Sequence, residues 1–477
     1  MSAPISSVPR TAGESPTPSA GLVKGLGLLD ATTIVMGSMI GSGIFIVSAD
    51  IARQVASPGL LMMVWLVTAI LTLCAALSYG ELAAAMPHAG GQYVYLREAY
   101  GPMSGFLYGW TLFMVIQTGT VAAVAVAFAK FTGVLVPAIS DANVLFAIGP
   151  LRVTSLQALA IGVLIFLTWW NTQGLRYGAV LQNVFTITKT GALLGLILLG
   201  LFLGGRPEAI PNFENFWPTN VNWWQGLQLV GVAMVGSLFS SDSWHNVTFT
   251  GEEVRNPKRN LPLALSIGVL SVSALYLATN WIYLQVLPLD AIQTAPSDRV
   301  GTAAAEVMLG PGAQQVMAIA IMISTFGCIN GLLLAGARVY FAMSRDGLFF
   351  RAVAKLNPRT HSPNASLVVQ CAWACLLCLS GTYSDLLDYV IFAVLIFYAL
   401  TTSAIFVLRR TRPNMERPYK AWGYPVIPAF YIICASSISL LLLVYKPRYT
   451  WPGLGLVLLG VPVYFLWKRF NQRESTI

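Results

Sequence analysis

Apolar stretches close to the ~20 residues that cross a hydrocarbon core recur along the whole chain. They fall at 28–56, 60–85, 101–136, 155–171, 182–204, 225–249, 261–288, 313–343, 366–381, 384–408, 424–445 and 449–468, with short loops rich in Gly, Pro and charge between them. The pattern predicts an all-α integral membrane protein of twelve transmembrane helices in a single membrane domain over 25–470. Helices 1–5 take about 28–204, helices 6–10 about 225–408 and helices 11–12 about 424–468. Residues 1–24 are polar, rich in Ser, Pro, Ala and Gly, and lack the apolar run of a signal peptide; they read as a disordered cytoplasmic tail, with 471–477 a second one. The wide loops at 86–100 and 344–365 read as short amphipathic or helical pieces against the cytoplasmic face.

Two segments depart from the pattern of a continuous helix. Segment 1 carries Gly37, Gly41, Ser42 and Gly43 in its middle, and segment 6 carries Ser240, Ser241, Asp242 and Ser243 in an otherwise apolar stretch. Glycine lowers helix propensity and leaves backbone groups free, which a membrane interior tolerates only where the backbone lines a cavity or is buried in protein. The interruptions lie at segments n and n+5, where an inverted five-plus-five repeat places corresponding elements; two further helices follow it.

Composition sharpens this picture. Of 477 residues 56% are hydrophobic and 10% charged, against about a quarter charged in a soluble domain. The net charge of +9 resides in short loops between apolar spans rather than on one face, so it does not point to nucleic acid. With both termini cytoplasmic, 19 of the 28 Lys and Arg fall in cytoplasmic loops and tails, 6 lie outside, and Lys130, Lys189 and Arg338 lie within segments. That asymmetry is the positive-inside signature and suits a cell (inner) membrane. All six cysteines lie inside apolar segments and read as free, buried thiols; Cys371, Cys375 and Cys378 share a helix face without a histidine or carboxylate, so no metal site is expected. No phosphate-binding GxxxxGK[ST] or HExxH occurs, and the three histidines are scattered, so no enzyme, ATP-driven pump or cofactor is expected.

A broken helix presents free N–H groups with partial positive charge on one side and carbonyls on the other, near the bilayer midplane. An amino acid zwitterion matches that pair. Its carboxylate would sit on the N–H groups of Ser42, Gly43 and Ile44, and its ammonium would meet carbonyls around Gly37 to Ile40 and near Phe239 to Ser241. The candidate substrate-binding residues are therefore Ile40, Gly41, Ser42, Gly43, Ile44, Phe239, Ser240, Ser241 and Asp242. The alternative for the glycines is close helix packing. Asp242 either contacts the substrate's amino group or polar side chain, or caps N–H groups where segment 6 restarts. Lys189, well inside segment 5, is either a snorkelling side chain or a fixed ammonium beside the broken segment 1, able to exchange protons. Trp244 and Phe239 flank the break as gate or packing; Gln117, Asn183 and Asn330 line the cavity or join helices. Glu252, Glu253, Arg255, Lys258 and Arg259 form a charged loop suited to orientation and gating rather than binding.

The stretches IGSGIF (40–45), SYGELAAAMPHAGGQYVYLREAYG (78–101), SSDSWHNVTFTGEEVRNPKRNLPLAL (240–265), STFGCINGLLLAGARVYFAMSRDG (324–347) and RPYKAWGYPVIP (417–428) resemble the amino acid–polyamine–organocation superfamily, and within it the L-type amino acid transporter family in its bacterial form. The resemblance runs from about residue 25 to 470 and implies the leucine-transporter-like fold with its inverted repeat. Ile40 to Phe45 match the family's unwound segment, which binds the substrate backbone; Phe239 matches its aromatic gate, and Lys189 its segment 5 lysine, in the space a sodium ion fills in sodium-coupled relatives. The resemblance implies sodium-independent transport, commonly obligatory exchange, with proton coupling in some relatives. Where bacterial relatives often read AYDGWNN this chain reads SSDSWHN, so Ser241, Ser243 and His245 bear on side-chain preference. Animal members join a glycoprotein heavy chain through a cysteine after segment 3; residues 137–154 hold none, so no disulfide-linked heavy chain is expected.

The expected function is a sodium-independent secondary transporter of L-amino acids, small neutral ones by family analogy, working by exchange or proton-coupled uptake through alternating access. The rivals are a polyamine or cationic amino acid antiporter on the same fold, and a non-transporting receptor or channel.

Overall fold

A computed structural model describes residues 22–148, 151–380 and 383–474. The tail expected over 1–24 lies outside the described residues as far as residue 21, and the end of the second tail, 475–477, lies outside them too. Residues 22–27 are extended: the N–H groups of Gly25 and Leu26 donate to the Glu253 carbonyl at 2.9 and 3.0 Å, and Arg255 N–H returns a bond to Leu26.

The described chain is almost wholly helical. Segment 1 is two helices, Leu28–Met39 and Gly43–Val55, bent by 40° at the break between them. Segments 2 to 5 are Pro58–Ala85, Pro102–Leu135, Ser155–Thr172 and Leu175–Leu203. Segment 6 is Trp223–Ser240 followed by a 3₁₀ stretch, Trp244–Glu253, and segments 7 and 8 are Pro257–Val286 and Ala313–Arg345. Segments 9 to 12 are Asn364–Ser380, Tyr383–Thr411, Val426–Tyr445 and Pro447–Glu474. Among the described residues, nine of these helices are long and apolar enough to cross a membrane, ten with the bent pair taken as one span. The other two of the expected twelve are Trp223–Ser240, the helical part of a broken span, and the 17-residue Asn364–Ser380.

Local chemistry sets several boundaries. Segment 2 starts where Ser57 accepts from Leu60 N–H and Pro58 needs no donor partner. Segments 4 and 6 start in capping boxes, Thr154 with Gln157 and Asn222 with Gln225. Segment 3 carries a π-helical stretch at Leu112–Ile116, and the loop at 86–100 contains the short helix Gln92–Tyr100. One feature absent from the hydropathy reading is a short antiparallel hairpin, Val144–Ile148 against Leu151–Thr154, in the loop after segment 3. Its strands are too brief to stand out beside the flanking apolar spans.

Segments 1, 2, 6 and 7 pack together, as do segments 3, 4, 8 and 9; segment 5 lies against segments 1 and 8. Counterparts five apart thus share a group, the arrangement an inverted repeat produces. Segments 10, 11 and 12 pack on one another, with segment 11 also against segment 2 and segment 12 against segment 3. The two breaks fall on the seam between the groups.

Candidate functional site

At the first break the chain leaves the helix at Ile40, in extended backbone, and re-enters at Gly43. The carbonyls there are held by side chains from three other segments. Lys189, 1% exposed, donates from Nζ to Gly37 O and Ile40 O at 2.6 Å each and lies 3.4 Å from Ser324 O. Ser324 Oγ lies 3.1 and 2.9 Å from the carbonyls of Ile40 and Gly41, and Cys328 Sγ lies 3.1 Å from that of Ser38. The Lys189 ammonium therefore ends at the break and does not reach along its helix toward a membrane surface. It also occupies carbonyls expected from the sequence to face a substrate ammonium. The N–H groups of Gly43 and Ile44 open a helix, so no earlier turn supplies acceptors for them.

The second break touches the first. Segment 6 leaves its helix at Ser240, turns at Ser243 with φ +65°, and continues as 3₁₀ helix. A Cβ on Gly43 would lie 3.0 Å from Ser240 Cα and closer still to its side chain, so this position needs glycine for proximity. Gly37 is tight in the same way against Gln182 and Thr186, whereas a Cβ on Gly41 would find ordinary contact, 3.4 Å from Cys328 Sγ. Tyr276 OH, from segment 7, lies 3.0 Å from Met39 O and 3.1 Å from Ser240 O, one on each broken segment.

Asp242 is buried at the second break. Tyr398 OH, from segment 10, donates to its Oδ1 at 2.5 Å and Ser243 Oγ lies 3.3 Å from Oδ2. The same Tyr398 oxygen is 2.6 Å from His245 Nδ1. Since a carboxylate only accepts, the hydroxyl proton points to Asp242 and His245 Nδ1–H donates to the hydroxyl oxygen. A small cavity of about 20 Å³ adjoins Asp242, lined among others by Thr72, Ser241, Trp244, Leu395 and Tyr398, with room for about one water. Trp244 packs edge-on to Tyr79, ring centroids 4.8 Å apart. Ser241 and Phe239 are buried as well.

Two sequence candidates stand apart from this cluster. Gln117 donates to Leu332 O at 2.7 Å, joining segments 3 and 8. Asn330 donates to Gly178 O and Gln182 Oε1, 3.1 Å each, and accepts from Asn171, joining segments 4, 5 and 8. Their polar groups are spent on helix-to-helix bonds, which is the packing alternative. Asn183 likewise bonds Asp30 and Thr33.

The hydropathy reading missed Tyr276, Ser324 and Tyr398 because a hydroxyl inside an apolar run changes the pattern little. It also missed the bidentate pair of Arg338 Nε and Nη2 with Glu253, 2.9 and 3.0 Å, 2% and 1% exposed, which ties segment 8 to the end of segment 6. Further pairs crowd the same end of the molecule: Glu81 with Arg409 and Arg417, Glu252 with Arg345, and Glu98 with Arg97 and Arg412. Burial alone would raise the Glu98 carboxyl, but hydrogen bonds from Arg412 and Arg97 outweigh it and hold it below the usual carboxylate range.

The profile of the Amino acid permease family matches residues 26–461. The mouse large neutral amino acids transporter small subunit 2 is 31% identical over 450 residues, covering 93% of this chain and 81% of that protein. The human b(0,+)-type amino acid transporter 1 is 30% identical over 459 residues, 94% of this chain and 89% of its own. The mouse Asc-type amino acid transporter 1 is 30% identical over 449 residues, 93% and 81%.

Proposed function

This chain belongs to the amino acid permease family, within the amino acid–polyamine–organocation superfamily, and from that premise we propose that it moves small neutral L-amino acids without sodium, by alternating access around the two breaks. It is a multi-pass membrane protein and an amino acid transporter. The rest is our reading: twelve spans, both termini cytoplasmic in a cell membrane, no disulfide-linked heavy chain, and either exchange or proton-coupled uptake.

The observation that carries sodium independence is the Lys189 ammonium held between the carbonyls of Gly37 and Ile40. A cation there supplies the positive charge that a bound sodium ion would bring to the break, and it is covalently part of the chain. The carboxylate of the substrate then has the N–H groups of Gly43 and Ile44. Its ammonium is left with the carbonyl end of segment 6 and with Asp242. That carboxylate is already shared with Tyr398, which favours a neutral substrate over a polyamine or a cationic amino acid.

Radiolabelled alanine uptake into proteoliposomes in sodium-free buffer tests this reading. Uptake that needs unlabelled amino acid inside establishes exchange, and uptake into empty vesicles under a proton gradient establishes proton coupling. A strict sodium requirement, or arginine uptake without alanine uptake, refutes it.

A further inference from the structure

Away from the breaks, a cleft of about 690 Å³ opens at the end of the molecule that carries the N-terminal strand. Its charged lining is Arg176, Arg255, Arg359 and Asp30. Asp30 is already committed, one carboxylate oxygen accepting from Gly27 N–H at 2.8 Å and the other from Asn183 at 2.6 Å. The three guanidinium groups form no ion pair among the described residues, whereas Arg97, Arg338, Arg345, Arg409, Arg412 and Arg417 at the same end are all paired with carboxylates. Three solvent-accessible guanidiniums around one concavity suit a multiply accepting anion, and phosphate oxygens match their planar donor fork.

The aromatic rings around the cleft point to the source. Tyr177, 56% exposed, lines it, and its carbonyl accepts from Trp170 Nε1 at 3.2 Å; Trp169, 55% exposed, stands beside Trp170. Exposed Trp and Tyr rings grouped at a helix end mark the headgroup level of a bilayer. Val180, which faces the same opening, is 55% exposed and offers an apolar wall below the arginines.

We propose that this cleft binds the phosphate-bearing headgroup of an anionic phospholipid, held by Arg176, Arg255 and Arg359. Its walls come from the start of segment 1 and the loop between segments 6 and 7 on one side, and from segment 5 and the loop between segments 8 and 9 on the other. A bound headgroup spans the seam between the two packed groups, so occupancy bears on their relative motion. The orientation read above decides only which leaflet supplies the lipid.

Native mass spectrometry of the purified full-length protein, titrated in detergent with phosphatidylglycerol or phosphatidylcholine, measures the binding directly. With each basic residue near the surface contributing, retention of phosphatidylglycerol should fall roughly 100-fold in R176Q/R255Q/R359Q. The control R259Q/K355Q/R410Q removes equal charge outside the cleft and should retain the lipid. Should the triple variant not fold, R176Q/R359Q set against R259Q/K355Q, which removes equal charge, gives the same comparison. Displacement of the lipid by millimolar inorganic phosphate, with phosphate itself raising the thermal midpoint, assigns the site to a soluble phosphate instead. Equal retention in the cleft variant and wild type, or equal loss in cleft and control variants, overturns the proposal.

Discussion

Replacing Lys189 by Met keeps an unbranched apolar stem, with sulfur in place of one methylene, and removes the ammonium. In the wild type that group satisfies Gly37 O and Ile40 O at 2.6 Å each. Ile40 O can still share the single Ser324 hydroxyl proton with Gly41 O in the variant, so the main loss falls on Gly37 O, left at the end of its helix without the lysine. A buried acceptor deprived of its partner costs about 1–3 kcal/mol, and the lost charged bond to Ile40 O adds to it, while removing the burden of a desolvated ammonium subtracts. A net of about 2 kcal/mol against the held geometry corresponds to a ~30-fold shift between the ordered and released break. The initial rate of alanine transport in proteoliposomes should therefore fall, by up to roughly 30-fold. The thermal midpoint of the purified protein, followed by size-exclusion chromatography after heating, should fall with it. A K189M protein whose rate stays within about twofold of wild type and whose midpoint is unchanged would show that the ammonium does not organise the break.

Three further outcomes follow from the same geometry. Gly43→Ala should abolish most transport because its Cβ meets Ser240 backbone, whereas Gly41→Ala, with ordinary clearance to Cys328, should retain a large share; similar losses in the two flux assays would refute the proximity argument. Tyr398→Phe removes the donor to Asp242 and the acceptor for His245, at a cost of about 1–3 kcal/mol in stability, and D242N should cost much less on that background than alone in a double-mutant cycle. Arg338→Met leaves Glu253 as an unpaired buried charge and should destabilise by about 3–5 kcal/mol, while R338M/E253L recovers most of it in thermal melts; a double variant as unstable as the single would remove the pair from the account.

The membrane architecture was legible because lipid burial forces apolar runs of fixed length, and loops interrupt them visibly. Both breaks were legible for a related reason: Gly41 to Gly43 and Ser240 to Ser243 are poor helix formers in places where nothing but a helix is otherwise tolerated. Lys189 stood out as an ionisable group among apolar neighbours, though its acceptors could not be read from spacing. The partners that complete the site come from far along the chain. Ser324, Tyr276 and Tyr398 reach the breaks from segments 8, 7 and 10, and each looks like one more residue of an apolar helix. Glu253 read as part of a solvated loop because its partner lies 85 positions away in a span. The ten-residue 3₁₀ half of segment 6 was hidden for the opposite reason, since a tighter winding leaves the hydropathy of the stretch unchanged.

The Tyr276 hydroxyl sits 3.0 Å from a carbonyl of one broken segment and 3.1 Å from a carbonyl of the other, yet it has a single proton to give. Two acceptors lie within reach of one donor, so at any moment only one of the two carbonyls takes the full hydrogen bond. A rigid clamp would resist any sliding of one broken span against the other. A shared proton acts instead as a bearing: it keeps the two spans in register while letting either one tilt by the fraction of an ångström that decides which carbonyl is served.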